Sequence, residues 1–222
     1  MPRCITHVFV LLVGVTCALP YARATIINGD FEDGLNGWSI ESGTFVAAPD
    51  LTGNHFAVSS QGGRLRQVFD LPPGAQTLTF RYLYHQSGPG GGCCPFDFLN
   101  FYLLDPLTFD NLIPPAPGFE LAALFLGQDH TGLYAANPDF VSVTGPDDDG
   151  LRYVNVHLAH LPSQQNVYLE FGSFEFDDGR DSLLAIDDVV VTVPDARAGL
   201  AIAILALLVT RRLPRREATA PQ

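Results

Sequence analysis

The middle of the chain consists of short apolar runs separated by clusters of glycine, proline and aspartate. In the runs at 76–86 and 151–158 every second residue is apolar, which is the spacing of a half-buried β-strand. The apolar faces consist of Leu78, Phe80, Tyr82 and Tyr84 in the first run and of Val154, Val156 and Leu158 in the second. No long segment shows a helical period. The pattern therefore predicts an all-β domain.

Nine such runs lie between residues 25 and 193, and turn-forming residues separate them. The predicted strands are Gly43–Ala47, His55–Ser59, Arg64–Asp70, Gln76–Gln86, Phe98–Asp105, Glu120–Leu126, Leu151–Leu158, Asn166–Phe176 and Leu184–Val193. Many short strands joined by such turns are typical of an antiparallel β-sandwich. A closed barrel is the alternative that the same pattern allows.

Residues 1–24 have the three parts of an export signal. Arg3 supplies the positive charge, Ile5–Leu19 form the apolar stretch, and Ala22-Arg23-Ala24 supplies a cleavage site. A buried N-terminal strand or a membrane anchor would be the alternatives, but the apolar stretch is short against the roughly 20 residues of a membrane span. A lipoprotein signal at Cys17 is disfavoured because residues 14–16 fit its motif poorly. We therefore predict a signal peptide and an exported protein.

Residues 194–222 form a second patterned end. Small or apolar residues fill Ala198–Val209, and arginines follow at positions 211, 212, 215 and 216. A helix over the apolar core would be about 18 Å long, against a hydrocarbon layer of about 30 Å. Flanking residues would have to help it span a membrane, with the arginines on the cytoplasmic side. The pattern predicts a short apolar transmembrane helix, with a plain tail anchor as one interpretation.

This C-terminal end also resembles the PEP-CTERM sorting signal that exosortases of Gram-negative bacteria recognise. The matching parts are Pro194-Asp195-Ala196, where the family has Pro-Glu-Pro, then the apolar helix, and then Arg211 and Arg212. The resemblance implies a sorting enzyme of the exosortase type as a partner. It also implies a location at the cell surface or outside the cell, with the C-terminal segment either cleaved or kept as a membrane anchor.

Charge is distributed unevenly along the chain. The formal net charge is −12, and all twelve basic residues are arginine. Residues 25–193 contain five of the arginines and 22 of the 24 acidic residues, which gives this part a formal charge of −17. Such a domain lacks the basic surface that nucleic acid requires. Its partner is therefore expected to be a cation, a neutral ligand or another protein.

Both ends of the domain resemble jelly-roll domains of the galactose-binding-like type, to which many carbohydrate-binding modules belong. The opening INGDFEDGLNGWSI is similar to their first strand and loop, and NVYLEFGSFEFDDGRDSLLAIDDVVVTV is similar to their last two strands. The segments between resemble the middle strands of exported PEP-CTERM domains. The resemblance implies a jelly-roll sandwich over residues 25–193 and a role in binding extracellular polysaccharide.

Acidic residues near the two ends of the domain are the candidate metal ligands. In a jelly roll the first and last strands lie close together, so Glu32 and Asp187 could share one cation with backbone carbonyls near Asp30. Ca²⁺ takes six to eight hard oxygen ligands, and similar modules hold a structural calcium ion in this way. We expect Asp187 rather than Asp188 to be the buried acid. The alternative is that these carboxylates cap turns or face solvent.

Other groups give weaker indications. The acidic segments 147–150 and 177–181 are predicted to be solvated turns, because neither has the spacing of an EF-hand loop. Cys93 and Cys94 are adjacent, which leaves open a strained vicinal disulfide, two free thiols or bridges between chains. Trp38 is expected in the core rather than on a sugar. The candidate tyrosines for a binding surface are Tyr82, Tyr84, Tyr102, Tyr134, Tyr153 and Tyr168.

Catalytic motifs are absent from the sequence. It contains no nucleophile elbow, phosphate-binding loop or zinc-protease pattern, so we expect a protein that is not an enzyme. The predicted function is a surface- or matrix-associated domain, stabilised by calcium, that binds polysaccharide. The alternative is a structural matrix protein without a defined small ligand. An open surface lined by aromatic residues would favour binding, and a flat or blocked face would favour the structural role.

Overall fold

A computed structural model describes residues 26–60, 62–86, 98–115, 124–127, 135–148, 150–174 and 182–193. These residues form β-strands and turns, with no α-helix among them. In chain order the strands are β1 (Ser39–Gly43), β2 (Val46–Pro49), β3 (His55–Ser59), β4 (Gly63–Leu71), β5 (Thr77–Gln86), β6 (Phe98–Leu104), β7 (Leu124–Gly127), β8 (Ala135–Ala136), β9 (Val141–Thr144), β10 (Arg152–His157), β11 (Gln164–Phe174) and β12 (Ser182–Thr192).

The strands form two antiparallel sheets. Sheet one has the order β1-β4-β11-β6-β7-β8, and sheet two has the order β2-β3-β12-β5-β10-β9. The two sheets face each other across a shared core, and the strands that the structure describes do not join into a closed ring, so the protein is a β-sandwich of the jelly-roll kind. This confirms the predicted fold class and excludes the barrel alternative.

Alternation along the strands fills the space between the sheets. Leu78, Phe80, Tyr82 and Tyr84 of β5 are all buried, as are Val154 and Val156 of β10, so both predicted apolar faces are confirmed. Phe80 from sheet two packs between Phe101 and Phe171 of sheet one, with ring centroids 5.3 and 5.0 Å apart. Aromatic packing of this kind adds to the free energy gained from removing apolar surface from water.

Trp38 closes one end of this core, as predicted. Its ring lies 5.2 Å from that of Phe31 and 6.0 Å from that of Phe171. Its indole N–H donates to the carbonyl oxygen of Asn28 at 3.1 Å, which satisfies the one polar atom of the side chain. Trp38 is therefore a core residue that anchors the N-terminal segment 26–38 to sheet one.

One predicted strand, Gly43–Ala47, is wrong. The chain leaves sheet one at Gly43 and enters sheet two at Val46, so the predicted strand spans the crossing between two real ones. Gly43 has a φ of 66°, and a Cβ there would lie 2.2 Å from the carbonyl oxygen of Gly62. Only glycine fits this crossing without strain. The short strands β8 and β9 were also not predicted.

The two ends of the domain meet directly. The backbone N–H of Val189 in β12 donates to the carbonyl oxygen of Gly29 at 2.9 Å. A Cβ on Gly29 would lie 2.1 Å from the carbonyl oxygen of Val189. The expected closeness thus holds for the segment before β1, which contacts β12, whereas the first and last strands themselves lie in different sheets. The contact depends on a residue without a side chain.

Several predictions concern residues outside the described ranges. They are the signal peptide at 1–24, the pair Cys93 and Cys94, the acidic segment 177–181, and the C-terminal segment 194–222 with Pro194, Arg211 and Arg212. Where the structure describes the chain, it contains no helix with the length and apolar character needed to cross a membrane.

The contact between the two ends makes a prediction about stability. We expect Gly29→Ala to lower the free energy of unfolding by about 1–3 kcal/mol, because the added methyl group must push β12 away. Urea denaturation of the mature chain measures this change. An alanine variant as stable as the unsubstituted chain would contradict the close approach of Gly29 to Val189.

Candidate functional site

Glu32, one of the predicted metal ligands, contacts a single residue through both of its carboxylate oxygens. Oε1 accepts a hydrogen bond from the backbone N–H of His55 at 2.9 Å, and Oε2 lies 3.0 Å from His55 Nδ1. The backbone hydrogen bond from His55, and then the side-chain one, lower the pKa of Glu32. The carboxylate is thus held in its charged form at the start of β3.

Asp187 has no exposed surface. Its Oδ2 accepts hydrogen bonds from Asn54 Nδ2 at 2.9 Å and from Arg81 Nη2 at 2.7 Å, and its Oδ1 accepts one from the backbone N–H of Asp188. Burial raises the pKa of Asp187, and these hydrogen bonds oppose the rise. The side chain of Asp188 is half-exposed and lies 2.7 Å from Arg81 Nε.

The prediction that Asp187 is the buried acid is therefore confirmed, but its burial does not come from the core. Leu184 and Ile186 point between the sheets, so alternation places Asp187 on the opposite side of sheet two, next to Arg81. There Asn54, at the end of the β2–β3 turn (residues 50–54), bonds to it.

This turn and the residue that follows it contact both predicted acids. Asn54 bonds to Asp187 and the next residue, His55, bonds to Glu32. Asp50 shapes the turn, because its Oδ1 accepts hydrogen bonds from the N–H groups of Thr52 and Asn54 at 2.7 and 3.0 Å. The contribution of the turn was not predicted, although aspartate, glycine and asparagine at this spacing are typical of such turns.

The carboxylates of Glu32 and Asp187 and the side-chain amide of Asn54 are types of oxygen ligand that Ca²⁺ takes in proteins. In this structure the carboxylate oxygens of Glu32 contact His55, and Asp187 Oδ2 accepts hydrogen bonds from Asn54 and Arg81. A bound ion would therefore require Asn54 to present its Oδ1 instead of its Nδ2, and it would share Asp187 with the Arg81 guanidinium. Asp30, the third predicted residue, is exposed. The described residues contain no group of three or more His, Cys, Asp or Glu that could hold a metal ion. The calcium site stays a prediction.

The outer face of sheet one carries a network of charged side chains, formed by Glu41, Arg64, Arg66 and Glu170. Arg66 donates from Nε and Nη2 to Glu170 Oε2 at 3.0 and 2.6 Å, and its Nη1 lies 3.4 Å from Glu41. Arg64 Nε lies 3.7 Å from the other oxygen of Glu170. The Glu170 side chain is only 3% exposed, whereas that of Arg64 is 48% exposed. Glu170 is thus a buried carboxylate that depends on Arg66.

An aromatic platform, which we define as the rings of Phe109 and Tyr168 together with the neighbouring side chain of Val68, adjoins this network. Tyr168 pairs with Val68 in the sheet register. The Tyr168 ring stacks on the Phe109 ring, with 5.5 Å between the ring centroids and an angle of 14° between the ring planes. The Arg66 guanidinium lies 4.9 Å from the centroid of the Tyr168 ring. Phe109 is 57% exposed and Val68 is 47% exposed. Exposed apolar side chains gathered in one place commonly mark a binding surface.

The loop that follows β6 in the chain holds Phe109 in a fixed position. The N–H groups of Leu107 and Thr108 donate to Asp105 Oδ1 at 2.7 and 3.0 Å, and the N–H of Phe109 donates to the Asp105 carbonyl oxygen at 3.0 Å. Hydrogen bonding from the Thr108 backbone, the largest cause, lowers the pKa of Asp105. Phe109 has a φ of 60°, which is rare for a bulky residue and is often found at functional sites.

Of the tyrosines considered for a binding surface, Tyr82 and Tyr84 lie in the core, while Tyr102, Tyr153 and Tyr168 are partly or largely exposed. Tyr134 lies outside the described ranges. Phe109 was not predicted, because nothing in the sequence around it marks it as exposed.

A groove of about 740 Å³ runs over the outer side of sheet two. Nine of its thirteen described lining residues are apolar and one, Phe56, is aromatic. Phe56 is only 9% exposed. The remaining lining residues are Asp50, Thr52, Asn54 and Arg81. The groove is thus mainly aliphatic, and the exposed ring of Tyr153, which lies opposite Arg81 in the register of the same sheet, is not among its described lining residues.

The acidic segment that begins at Asp147 is a turn, as predicted. Asp147 Oδ1 accepts a hydrogen bond from the backbone N–H of Leu151 at 2.8 Å, and the N–H of Gly150 donates to the Asp147 carbonyl oxygen at 3.1 Å. The carboxylate of Asp147 thus serves the backbone of its own turn.

Comparison with known proteins gives likeness at the level of structure alone. No family model matches the chain, and no curated protein matches it. An adhesin domain of Lys-gingipain from Porphyromonas gingivalis is 20% identical, with a TM-score of 0.40 over 75% of this chain and 98% of that one.

Two further solved structures are similar. A carbohydrate-binding module of the CBM28 class, described as specific for non-crystalline cellulose, is 15% identical, with a TM-score of 0.41 over 75% of this chain and 93% of that one. The enzymatically active domain of tailspike protein 4 from bacteriophage CBA120 is 13% identical, with a TM-score of 0.42 over 80% of this chain and 22% of that one. At these scores the likenesses carry no argument about what this chain binds.

The buried carboxylate of Glu170 makes a prediction. We expect Arg66→Met to lower the free energy of unfolding by about 3–5 kcal/mol, because it leaves a buried charge without its partner. Arg64→Met is the matched control and should cost less than about 1 kcal/mol, because Arg64 is half-exposed and its contact is long. Urea denaturation of both variants measures the difference, and equal losses would contradict the dependence of Glu170 on Arg66.

Proposed function

We propose that the chain is an exported, surface- or matrix-associated domain that binds extracellular polysaccharide without catalysis. The observation that carries the proposal is the aromatic platform of Val68, Phe109 and Tyr168 beside the charged side chains of sheet one. Aromatic rings supply large apolar area at small entropic cost, and the guanidinium and carboxylate groups next to them suit hydroxyl-rich partners. Sugars offer both apolar C–H faces and hydroxyl groups.

The rigidity of the platform supports this proposal. A side chain that is already ordered loses less entropy when a ligand binds. The loop from Asp105 to Asp110 is tied by its own hydrogen bonds, including one from the N–H of Asp105 to the Asp110 carbonyl oxygen at 2.9 Å. Tyr168 is held between its strand, the ring of Phe109 and the guanidinium of Arg66. The surface is therefore preorganised for a flat ligand.

Calcium belongs to the proposal as a structural ion. Glu32, Asp187 and Asn54 would hold it, with backbone carbonyl oxygens near Asp30. Such an ion would neutralise acidic charge and tie the N-terminal segment to β12 through the β2–β3 turn. Asp187 and the turn belong to sheet two, whereas the platform belongs to sheet one, so the ion would stabilise the fold and would not touch the polysaccharide.

Export and surface attachment complete the proposal. They are based on the signal peptide predicted at 1–24 and on the C-terminal segment, which a sorting enzyme of the exosortase type would process or leave as a membrane anchor. A structural matrix protein without a small ligand is the second candidate. The aliphatic groove of sheet two favours it, because Phe56, the one aromatic residue among the described residues that line it, is only 9% exposed.

The platform can be tested with a panel of neutral plant and bacterial polysaccharides. We expect Phe109→Ala to weaken binding of the mature chain by at least about tenfold, as for the loss of a central aromatic contact. Leu51→Ala is the control, because Leu51 is fully exposed and lies at the groove of sheet two. Affinity electrophoresis measures both variants. Failure of the unsubstituted chain to bind any polysaccharide would favour the structural role.

Calcium can be tested by thermal unfolding of the mature chain in Ca²⁺ or in EDTA. At a hundredfold excess over the dissociation constant, an ion that binds only the folded state adds about 2.7 kcal/mol. We expect this to raise the melting temperature by about 5–10 °C. Glu32→Gln and Asp187→Asn should abolish the rise, and Asp148→Asn, in the exposed turn, should keep it. An equal melting temperature in both solutions would contradict the site.

A further inference from the structure

We infer that the polysaccharide bound on sheet one is uncharged, and that the paired arginines and the acidic residues of this face exclude chains that carry carboxylates. The inference rests on the proposed function and specifies its ligand class. It starts from the four charged residues of the network, Glu41, Arg64, Arg66 and Glu170, of which two are cations and two are anions. The formal charge of the network is therefore zero.

Each arginine of the network is already paired. Arg66 contacts Glu170 at 2.6 Å and Glu41 at 3.4 Å, so two carboxylates share its charge. Arg64 lies 3.7 Å from Glu170. A carboxylate on the ligand would have to compete with Glu41 or Glu170 for these cations. Loss of the contact between Glu170 and Arg66 would cost free energy, because a buried charge without a partner is strongly unfavourable.

The remaining arginines among the described residues belong to sheet two and supply no positive charge to the outer face of sheet one. Arg81 is bound to Asp187 and Asp188 on sheet two. Arg152, in β10 of sheet two, donates to the Gly145 carbonyl oxygen at 3.3 Å. Asp70 is exposed in β4 on the same side as Arg66 and Val68, and Asp105 and Asp110 flank Phe109, so this face also carries negative charge outside the network. An acidic polysaccharide would thus meet paired arginines and further acidic residues, on a domain with a formal charge of −17 over residues 25–193. At low salt this repulsion extends over about 10 Å or more.

The same face offers groups that suit hydroxyls. The guanidinium of Arg64 is half-exposed and can donate to a neutral oxygen without losing its ion pair. Tyr102 lies next to Glu170 in the register and accepts a hydrogen bond from Asn100 Nδ2 at 2.8 Å, which leaves its own hydroxyl hydrogen to donate. Burial raises the pKa of Tyr102, so the hydroxyl remains a donor. A neutral sugar can use both groups.

The experiment compares matched polysaccharides with the full mature chain. Dextran, a β-1,3-glucan and a β-1,4-glucan are each used as the hydroxyethyl and the carboxymethyl derivative. Affinity is measured at about 20 mM and about 500 mM NaCl, which span weak and strong screening. We expect the hydroxyethyl form of at least one backbone to bind with less than about a twofold change between the two salts. Its carboxymethyl form should bind at least about tenfold more weakly at low salt, and the gap should narrow at high salt.

A charge variant tests whether the face itself sets this selectivity. Glu41→Gln leaves the network with one positive charge, and it should strengthen binding of the carboxymethyl form by at least about threefold at low salt without changing the hydroxyethyl form. Asp139→Asn is the matched control, because it changes the net charge equally at an exposed position before β9 in sheet two. Equal effects of the two variants would overturn the inference.

The remaining outcomes of the polysaccharide comparison distinguish failure of this inference from failure of the proposed function. A carboxymethyl form that binds as tightly as its hydroxyethyl partner at low salt would overturn the inference and leave the proposed function standing. Failure of all six derivatives to bind would contradict the proposed function, and the inference would fall with it.

Discussion

The arrangement of the outer face of sheet one depends on the burial of one carboxylate. Glu170 lies almost fully buried on β11, and a buried charge is tolerated only when it is paired and hydrogen-bonded. Arg66 meets this requirement with two donated hydrogen bonds, which fixes its guanidinium over the sheet. From there it covers the ring of Tyr168, and Tyr168 in turn supports Phe109. The pairing of a single buried acid thus positions Tyr168, the ring against which the exposed Phe109 stacks.

The two sides of the sandwich divide the work that the account assigns to the protein. Sheet one presents the aromatic platform and the neutral charge network. On sheet two, Asp187 lies buried beneath Arg81 and Asn54 at the junction of the two ends of the domain. A calcium ion at this junction would act on stability alone.

The sequence predicted those features that depend on local pattern. Alternation placed the apolar face of β5 in the core, and the opening motif placed Trp38 there. The pattern failed at Gly43, where the chain crosses between sheets, because a glycine crossing and a strand end look alike in sequence. The pairing of Arg66 with Glu170 joins residues far apart in the chain, and strand register, which single-sequence patterns do not fix, creates it. The exposure of Phe109 likewise arises from the hydrogen bonds of its loop.

The central claim is that polysaccharide binds on the outer face of sheet one. The most direct test is an NMR titration of the isotope-labelled mature chain with the tightest-binding neutral polysaccharide fragment. The account predicts that the largest shift changes occur at Val68, Phe109 and Tyr168 and in the loop from Asp105 to Asp110. Changes centred on the groove of sheet two, at Leu83 and Leu183, would contradict it.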